Sequence, residues 1–425
     1  MTAASTDLTP AQKQLALHGG TPVRTKPYPP RRLFGEAEKA AAMALLDGCI
    51  ERGEAYGYGG EHEDAYCKAF AELHGGGFAD CVNSGTSALY VALRSLELEP
   101  FTEVIVPPIT DPGGLMPVAM MNCIPIVADS APGSYNVSAE QIEAVMTDRT
   151  SAIVVTHISG EPVDMDPILA LAKKHGVYVV EDCAQTHLAT YKGRVAGTMG
   201  DVAAFSTMFG KHHATGGQGG VVFTKDESRY HKVRRCADRG KPFFLEGTHG
   251  NVTCSLNLNQ DEMGCAIGRV QLEKLPGIVK ARQAFVHRIA KGIADLKAVS
   301  IRTGLPDTEP AFWFGLVRLD FSKLSCDKAT FVEAFNAEGV RAGAGYRHII
   351  CEHDWFTKQS VFGTSGYPWA APEYKGDRHP TFALPNAKAA DDEHIMLTVN
   401  ESLGDEVADD VAKALVKVEQ AYLKG

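Results

Sequence analysis

The chain lacks most of the signatures that would assign it to a class at a glance. It has no CxxC pair and no zinc-like spacing of Cys with His, and its 10 cysteines are scattered from Cys49 to Cys351. No bound metal is expected, and the thiols read as reduced, mostly buried small residues. No stretch approaches the ~18 apolar residues of a membrane helix. The start, MTAASTDLTPAQKQLALHGG, has no apolar run behind a basic one. A cytoplasmic protein without membrane contact is the expectation. Basic charge is also scarce, with 42 Lys+Arg against 52 Asp+Glu and a net charge of −10. Nucleic acid is therefore excluded as the expected partner, and small soluble molecules are favoured. Repeats and low-complexity segments are absent too.

What the 425 residues do contain is alternation between short β-branched runs and helical stretches. Glu103–Pro108, Ile124–Asp129, Ala152–Thr156 and Val177–Asp182 read as buried strands. Between the last two, Asp166 has the chemistry of an N-cap, Pro167 suits the first helical position and Gly176 a left-handed stop. Ser138 and Gln141 have capping-box spacing ahead of a helix running to about Met146. A further strand, Ala79–Val82, leads into a helix from the Asn83 segment through Leu96. This succession predicts an α/β protein with a mostly parallel sheet covered on both faces. In such sheets ligands bind beyond the carboxyl ends of the strands.

Three features follow strand ends. Ser84-Gly85-Thr86 at a strand-to-helix junction suits a phosphate, or is simply a capped helix start. Asp182 closes an apolar strand, where a carboxylate needs a cationic or donating partner, or serves as a cap. Lys211 sits in a glycine-flanked segment before Gly216–Gly220, a run that matches neither the nucleotide P-loop nor the dinucleotide fingerprint. A phosphate-suited helix start, then a strand-end carboxylate, then a lysine is the parts list of a pyridoxal-phosphate site. The carboxylate would keep the pyridine nitrogen protonated. The lysine would form the Schiff base and move the proton.

The succession Asn83-Ser-Gly-Thr-Ser-Ala-Leu89, Asp164-Met-Asp166, Glu181-Asp-Cys-Ala-Gln185, Tyr191-Lys-Gly193, Gly200-Asp201, Phe205-Ser206, Lys211 and Gly216–Gly220 closely resembles the DegT/DnrJ/EryC1/StrS family of pyridoxal-phosphate sugar and cyclitol aminotransferases. The opening Gly19-Gly-Thr-Pro-Val-Arg24 is similar to members that aminate inososes. The resemblance implies an aspartate-aminotransferase-like fold type I with a smaller C-terminal α+β domain. The expected division is a polar extension over 1–20, a large cofactor-binding domain over 21–280 and a small domain over 281–425. It also implies that Gly85, Thr86 and Ser206 bind the cofactor phosphate, that Asp182 pairs with the pyridine nitrogen and that Gln185 contacts the ring hydroxyl. Lys211 matches the Schiff-base lysine. Asn257 matches an asparagine lent by the neighbouring subunit, so a homodimer with shared sites is expected. The implied reaction is ping-pong transamination from an amino acid, Glu or Gln, to a keto-sugar, sugar nucleotide or keto-cyclitol.

The chain departs from the family pattern at three points. The aromatic that follows Pro-x-x-Thr is replaced within Pro107-Pro-Ile-Thr-Asp111-Pro112, so another group must face the cofactor ring. Gln218 stands where an acidic residue is usual. His212 and His213 follow Lys211, a context similar to dehydrating relatives that use histidine, so a sugar dehydratase acting through His212 is one alternative. A non-catalytic cofactor-binding member is the other. His348, His353 and His379 match no zinc spacing, and Arg239 and Arg347 are candidates for meeting an acidic donor or a substrate hydroxyl.

Overall fold

The computed structural model describes residues 8–346 and 348–425, and its largest element is a seven-stranded sheet. The strands are β1 (Phe78–Val82), β2 (Glu103–Val106), β3 (Ile124–Val127), β4 (Thr150–Thr156), β5 (Tyr178–Asp182), β6 (Val202–Ser206) and β7 (Gly220–Thr224). Their order is β1-β7-β6-β5-β4-β2-β3. From β6 to β3 every neighbour is parallel, and only β7 runs against β1 and β6.

Both faces of this sheet are covered, which is why its strands are continuous apolar runs with no polar alternation. The helices involved are α1 (Glu36–Arg52), α2 (Glu61–Leu73), α3 (Gly85–Arg94), α4 (Met165–His175), α5 (Glu227–Ala237) and α6 (Glu262–Gly292). Val202, Ala204 and Val222 pack in one core with Ala88 and Leu89 of α3 and Val233 of α5. Ala203, Phe205, Val221 and Phe223 point the other way, into a core with Tyr66 and Phe70 of α2 and Leu272 and Leu275 of α6. Burial of each large side chain contributes about 1.5–3 kcal/mol, so neither face tolerates exposure.

A second, antiparallel sheet lies in the C-terminal part. It comprises β8 (Val299–Ile301), β9 (Phe314–Leu319), β10 (Ala342–Gly343) and β11 (His394–Thr398), in the order β8-β9-β11-β10. Helix α7 (Asp405–Tyr422) shares its core with the last turns of α6 through Val411, Leu415, Phe285 and Ile289. Part of the expected polar extension belongs to this core as well. Leu15 is fully buried there, and the amides of Ala16 and Val23 donate to the Glu338 carboxylate at 2.9 and 3.0 Å. Residues 1–7 of that extension lie outside the described residues.

Some local expectations are corrected. Helix α4 starts two residues early, with Asp164 at the cap position, and Asp166 instead pairs with Lys192 at 2.8 Å and with Arg194. Pro167 therefore lies at the third helical position. Gly176 does adopt the left-handed stop, at φ +67°. Ser138 accepts no cap bond, and its helix ends at Glu143 instead of Met146. The reason is the buried Glu103 carboxylate, which draws the next turn out of helical register through the Thr147 hydroxyl and the Arg149 guanidinium. Helix α3 stops at Arg94 rather than Leu96, because Glu97 turns the chain at φ +54°.

Candidate active site

β1, β2, β4, β5 and β6 all end at the same sheet edge, where the antiparallel β7 begins. A cavity of about 290 Å³ opens there. Gly85, Thr86, Asp182, Gln185, Ser206 and Lys211 all line it, together with Asp111, Gln218 and Trp313. The topology thus brings together residues that are far apart in the chain.

One end of the cavity is a helix start. Ser84 caps α3 by accepting the Ser87 amide at 3.0 Å, while the amides of Gly85 and Thr86 have no partner among the described residues. These first-turn N–H groups and the positive end of the helix dipole suit an anion. Gly85 is required by close approach, since a Cβ there would lie 2.6 Å from Ser206 Cβ. The missing side chain lets the Ser206 hydroxyl stand beside the helix start.

The other end holds two buried, opposite charges that do not satisfy each other. Asp182 Oδ1 accepts the Ala184 amide at 3.0 Å and Oδ2 the Thr156 hydroxyl at 3.3 Å, with no ion pair among the described residues. Burial raises its carboxyl above the usual range. Lys211 Nζ likewise has no carboxylate within ion-pair distance among the described residues, and rests 3.7 Å from the centre of the Trp313 ring. Burial pulls this lysine down to about 8, while Asp182 and Asp111 pull it the other way. Such uncompensated groups are costly in a finished core, so the cavity has the chemistry of a place awaiting a ligand with both a cationic nitrogen and a carbon electrophile.

Gln185 is held between them. Its Oε1 accepts the Ser159 amide at 2.8 Å and its Nε2 donates to the Tyr346 hydroxyl at 3.1 Å. Ser159 and Gly160 pair with the chain at Ala311–Trp313, and this brings Trp313 into the cavity. Its indole N–H donates to the Gly210 carbonyl at 3.1 Å. Sequence reasoning missed Trp313, although the aromatic run Phe312-Trp313-Phe314 ahead of β9 was a visible signal. It also missed Gly114, whose Cβ would lie 2.9 Å from Asp182 Oδ2, so that backbone roofs the carboxylate where a side chain could not.

The remaining candidates lie elsewhere. Asn257 is exposed, accepts from Asn259 Nδ2 at 2.7 Å and does not line the cavity of its own chain. His212 is fully buried and its Nε2 meets the Ala311 carbonyl at 3.0 Å, so Lys211, not His212, reaches the cavity. Arg239 pairs with Asp238 and Tyr58 near the surface, and Arg347 lies outside the described residues. His379 lines a separate cavity of about 400 Å³ with Cys351, Phe356 and Phe382. His157, Glu181 and Cys183 bring ligand atoms within 4.8 Å of one another. Both nitrogens of His157 are already engaged, Nε2 with Glu181 at 3.1 Å and Nδ1 with the Val163 amide at 2.9 Å. The group is a hydrogen-bonded structural buckle.

The chain is similar to known proteins in sequence and in fold. The sequence pattern of the DegT/DnrJ/EryC1/StrS aminotransferase family matches residues 37–416. GDP-perosamine synthase of Caulobacter vibrioides is 33% identical over 283 residues, 65% of this chain and 73% of the relative. The L-glutamine:2-deoxy-scyllo-inosose aminotransferase of Streptomyces lividus is 36% identical over 233 residues, 54% of each chain. Among solved structures, S. venezuelae DesV in complex with a ketimine intermediate superposes with a TM-score of 0.77 at 27% identity, covering 93% of this chain and 99% of that one.

Proposed function

Because the chain belongs to the DegT/DnrJ/EryC1/StrS aminotransferase family and is a pyridoxal-phosphate enzyme, we propose that it carries nitrogen from Glu or Gln to a ketone on a sugar, sugar nucleotide or cyclitol. One observation carries the assignment of its parts: Asp182 and Lys211 are buried in one cavity and, among the described residues, have no ionic partner, opposite a helix start whose amides have none either. When bound, the cofactor supplies an electrophilic aldehyde and an electron sink. The amides of Gly85 and Thr86, with the Thr86 and Ser206 hydroxyls, would hold its phosphate. Asp182 would face the pyridine nitrogen and keep it cationic, which compensates the buried carboxylate. Gln185, fixed by Ser159 and Tyr346, would orient the ring hydroxyl. Lys211 Nζ would hold the aldehyde carbon and, when freed by a substrate amine, move a proton at the substrate carbon. In the cofactor-free site burial brings Nζ down to about 8, toward the range that suits a group which must both take and release a proton near neutral pH.

The reading includes a homodimer that shares its sites, a large unit over 21–280 and a small one over 281–425, in the cytoplasm. Exposed Met43, Leu46 and Ile50 on α1, with Phe209 and Leu256, support a covered apolar face. Exposed Asn257 is then free to reach the phosphate end of a second copy. No helix among the described residues is long and apolar enough to cross a membrane. The test is a donor screen on the purified protein, following the visible absorbance of the bound cofactor. Glu or Gln should discharge it in the wild type and leave it unchanged in Lys211→Ala. Discharge that persists in Lys211→Ala would refute the assignment.

A further inference from the structure

Asp111 occupies the position where the family pattern calls for an aromatic. It lines the same cavity as Lys211, and its charge acts on Lys211, Tyr346 and His348. One of its oxygens, Oδ1, accepts the Gly113 amide at 2.9 Å and so fixes the carboxylate at the head of a short turn. The other oxygen has no partner among the described residues, and the residue is exposed at the mouth of the cavity.

The chain pairs Ile109 with Ile349, and the Thr110 amide donates to the His348 carbonyl at 3.3 Å. That pairing sets His348 and Tyr346 beside Asp111, with the two rings 4.7 Å apart. His348 Nδ1 is buried without a partner, and the Tyr346 hydroxyl is held by Gln185. Of these three side chains only Asp111 lines the cavity, and the phenol and the imidazole stand behind it.

We propose that Asp111 selects the amino acceptor, favouring an uncharged, hydroxyl-rich ring over a ring carried on a nucleoside diphosphate. The inference rests on the aminotransferase reading above. A fixed carboxylate accepts hydrogen bonds from neighbouring hydroxyls of a polyol and repels phosphate oxygens. The charge of the lining points the same way. Its ionisable groups among the described residues are Asp111, Asp182 and Lys211, of which the proposed function assigns Lys211 and Asp182 to the cofactor. Within the described lining this leaves the Asp111 carboxylate as the charge an acceptor meets.

The test compares wild type, Asp111→Asn and Asp111→Ala. Asn keeps an oxygen to accept the Gly113 amide while removing the charge, so a loss confined to Ala reports only the turn. The first readout is the ratio of kcat/KM for a keto-inositol to that for a nucleoside-diphosphate-linked keto-sugar. Taken within one variant, this ratio cancels any change in cofactor loading or in the donor half-reaction. The wild type should favour the keto-inositol, and Asp111→Asn should shrink the ratio by about 10- to 100-fold, as expected for hydrogen bonds to a charged group. The second readout is calorimetric binding of scyllo-inositol, which has no keto group, and it should weaken to the same degree in Asp111→Asn. Wild-type preference for the nucleotide-linked ketone, or a ratio and an inositol affinity unmoved in Asp111→Asn, would overturn the proposal. If no amino acid discharges the wild-type cofactor, the aminotransferase reading fails instead, and the inositol binding alone decides the role of Asp111.

Discussion

Glu181 and Asp182 are neighbours on β5, both buried, and the fold treats them in opposite ways. Glu181 points to one face of the sheet, where it accepts the amides of Gly197, Met199 and Gly200 at 2.6–2.8 Å and meets His157 at 3.1 Å. Burial alone would raise it, but His157 and these amides win and hold it below the ordinary carboxylate range. Asp182 looks toward the cavity, receives one amide and one hydroxyl, and is raised. A fully partnered buried carboxylate ties the structure together. A half-partnered one at a strand end marks where the missing partner binds.

The comparison can be broken by substitution. Asp182→Asn should lower turnover by about 10²- to 10³-fold, the usual effect of losing an aligned electrostatic group. Unfolding of its cofactor-free form in denaturant should stay within about 1 kcal/mol of wild type, because the charge it removes is uncompensated. Glu181→Gln should reverse the pattern and cost about 2–4 kcal/mol of stability, read in the same titration. The acid limb carries the opposite signs. With its value lowered from 4.5, Glu181 contributes stability that is lost as pH falls below that range, and the Gln variant should lose this dependence. With its value raised from 3.8, Asp182 makes the folded protein less stable as pH rises through the same region, and Asp182→Asn should remove that penalty.

Smaller effects sharpen the picture. Gly85→Ala brings a Cβ to 2.6 Å from Ser206 Cβ and should weaken cofactor affinity by about 10-fold, measured by titration of the cofactor-free protein. The rate of cofactor uptake needs a neutral Lys211 amine, so it should rise with pH around a midpoint near 8 instead of 10.5. The unfolded chain binds this proton between the two values, so the same group adds stability to the cofactor-free protein as pH climbs across that window.

The half of the site assigned to the cofactor was legible in the sequence because its residues follow strand ends in short motifs. Ser84-Gly85-Thr86, Asp182 and Lys211 each sit next to a readable element, and the sheet's direction gathers those ends. The outer half was not legible. Trp313 and Tyr346 arrive from the far part of the chain, through the pairing of Ser159–Gly160 with residues 311–313 and of Ile109 with Ile349. No local pattern announces such contacts. Asp111 was visible only as a departure from the family pattern, and only the fold places it in the lining of the cavity. Asp166 failed as a cap for a related reason, because cap chemistry is local while Lys192 and Arg194 reach that turn from a distance.

The central claim is that the unpaired Lys211 amine, facing Asp182, is where pyridoxal phosphate is held. Borohydride reduction of the cofactor-loaded protein, followed by peptide mass mapping, tests it directly. The account predicts the cofactor mass on the peptide containing Lys211 and its loss in Lys211→Ala. Label on another lysine, or reduction that leaves the Lys211 peptide unmodified, would contradict it.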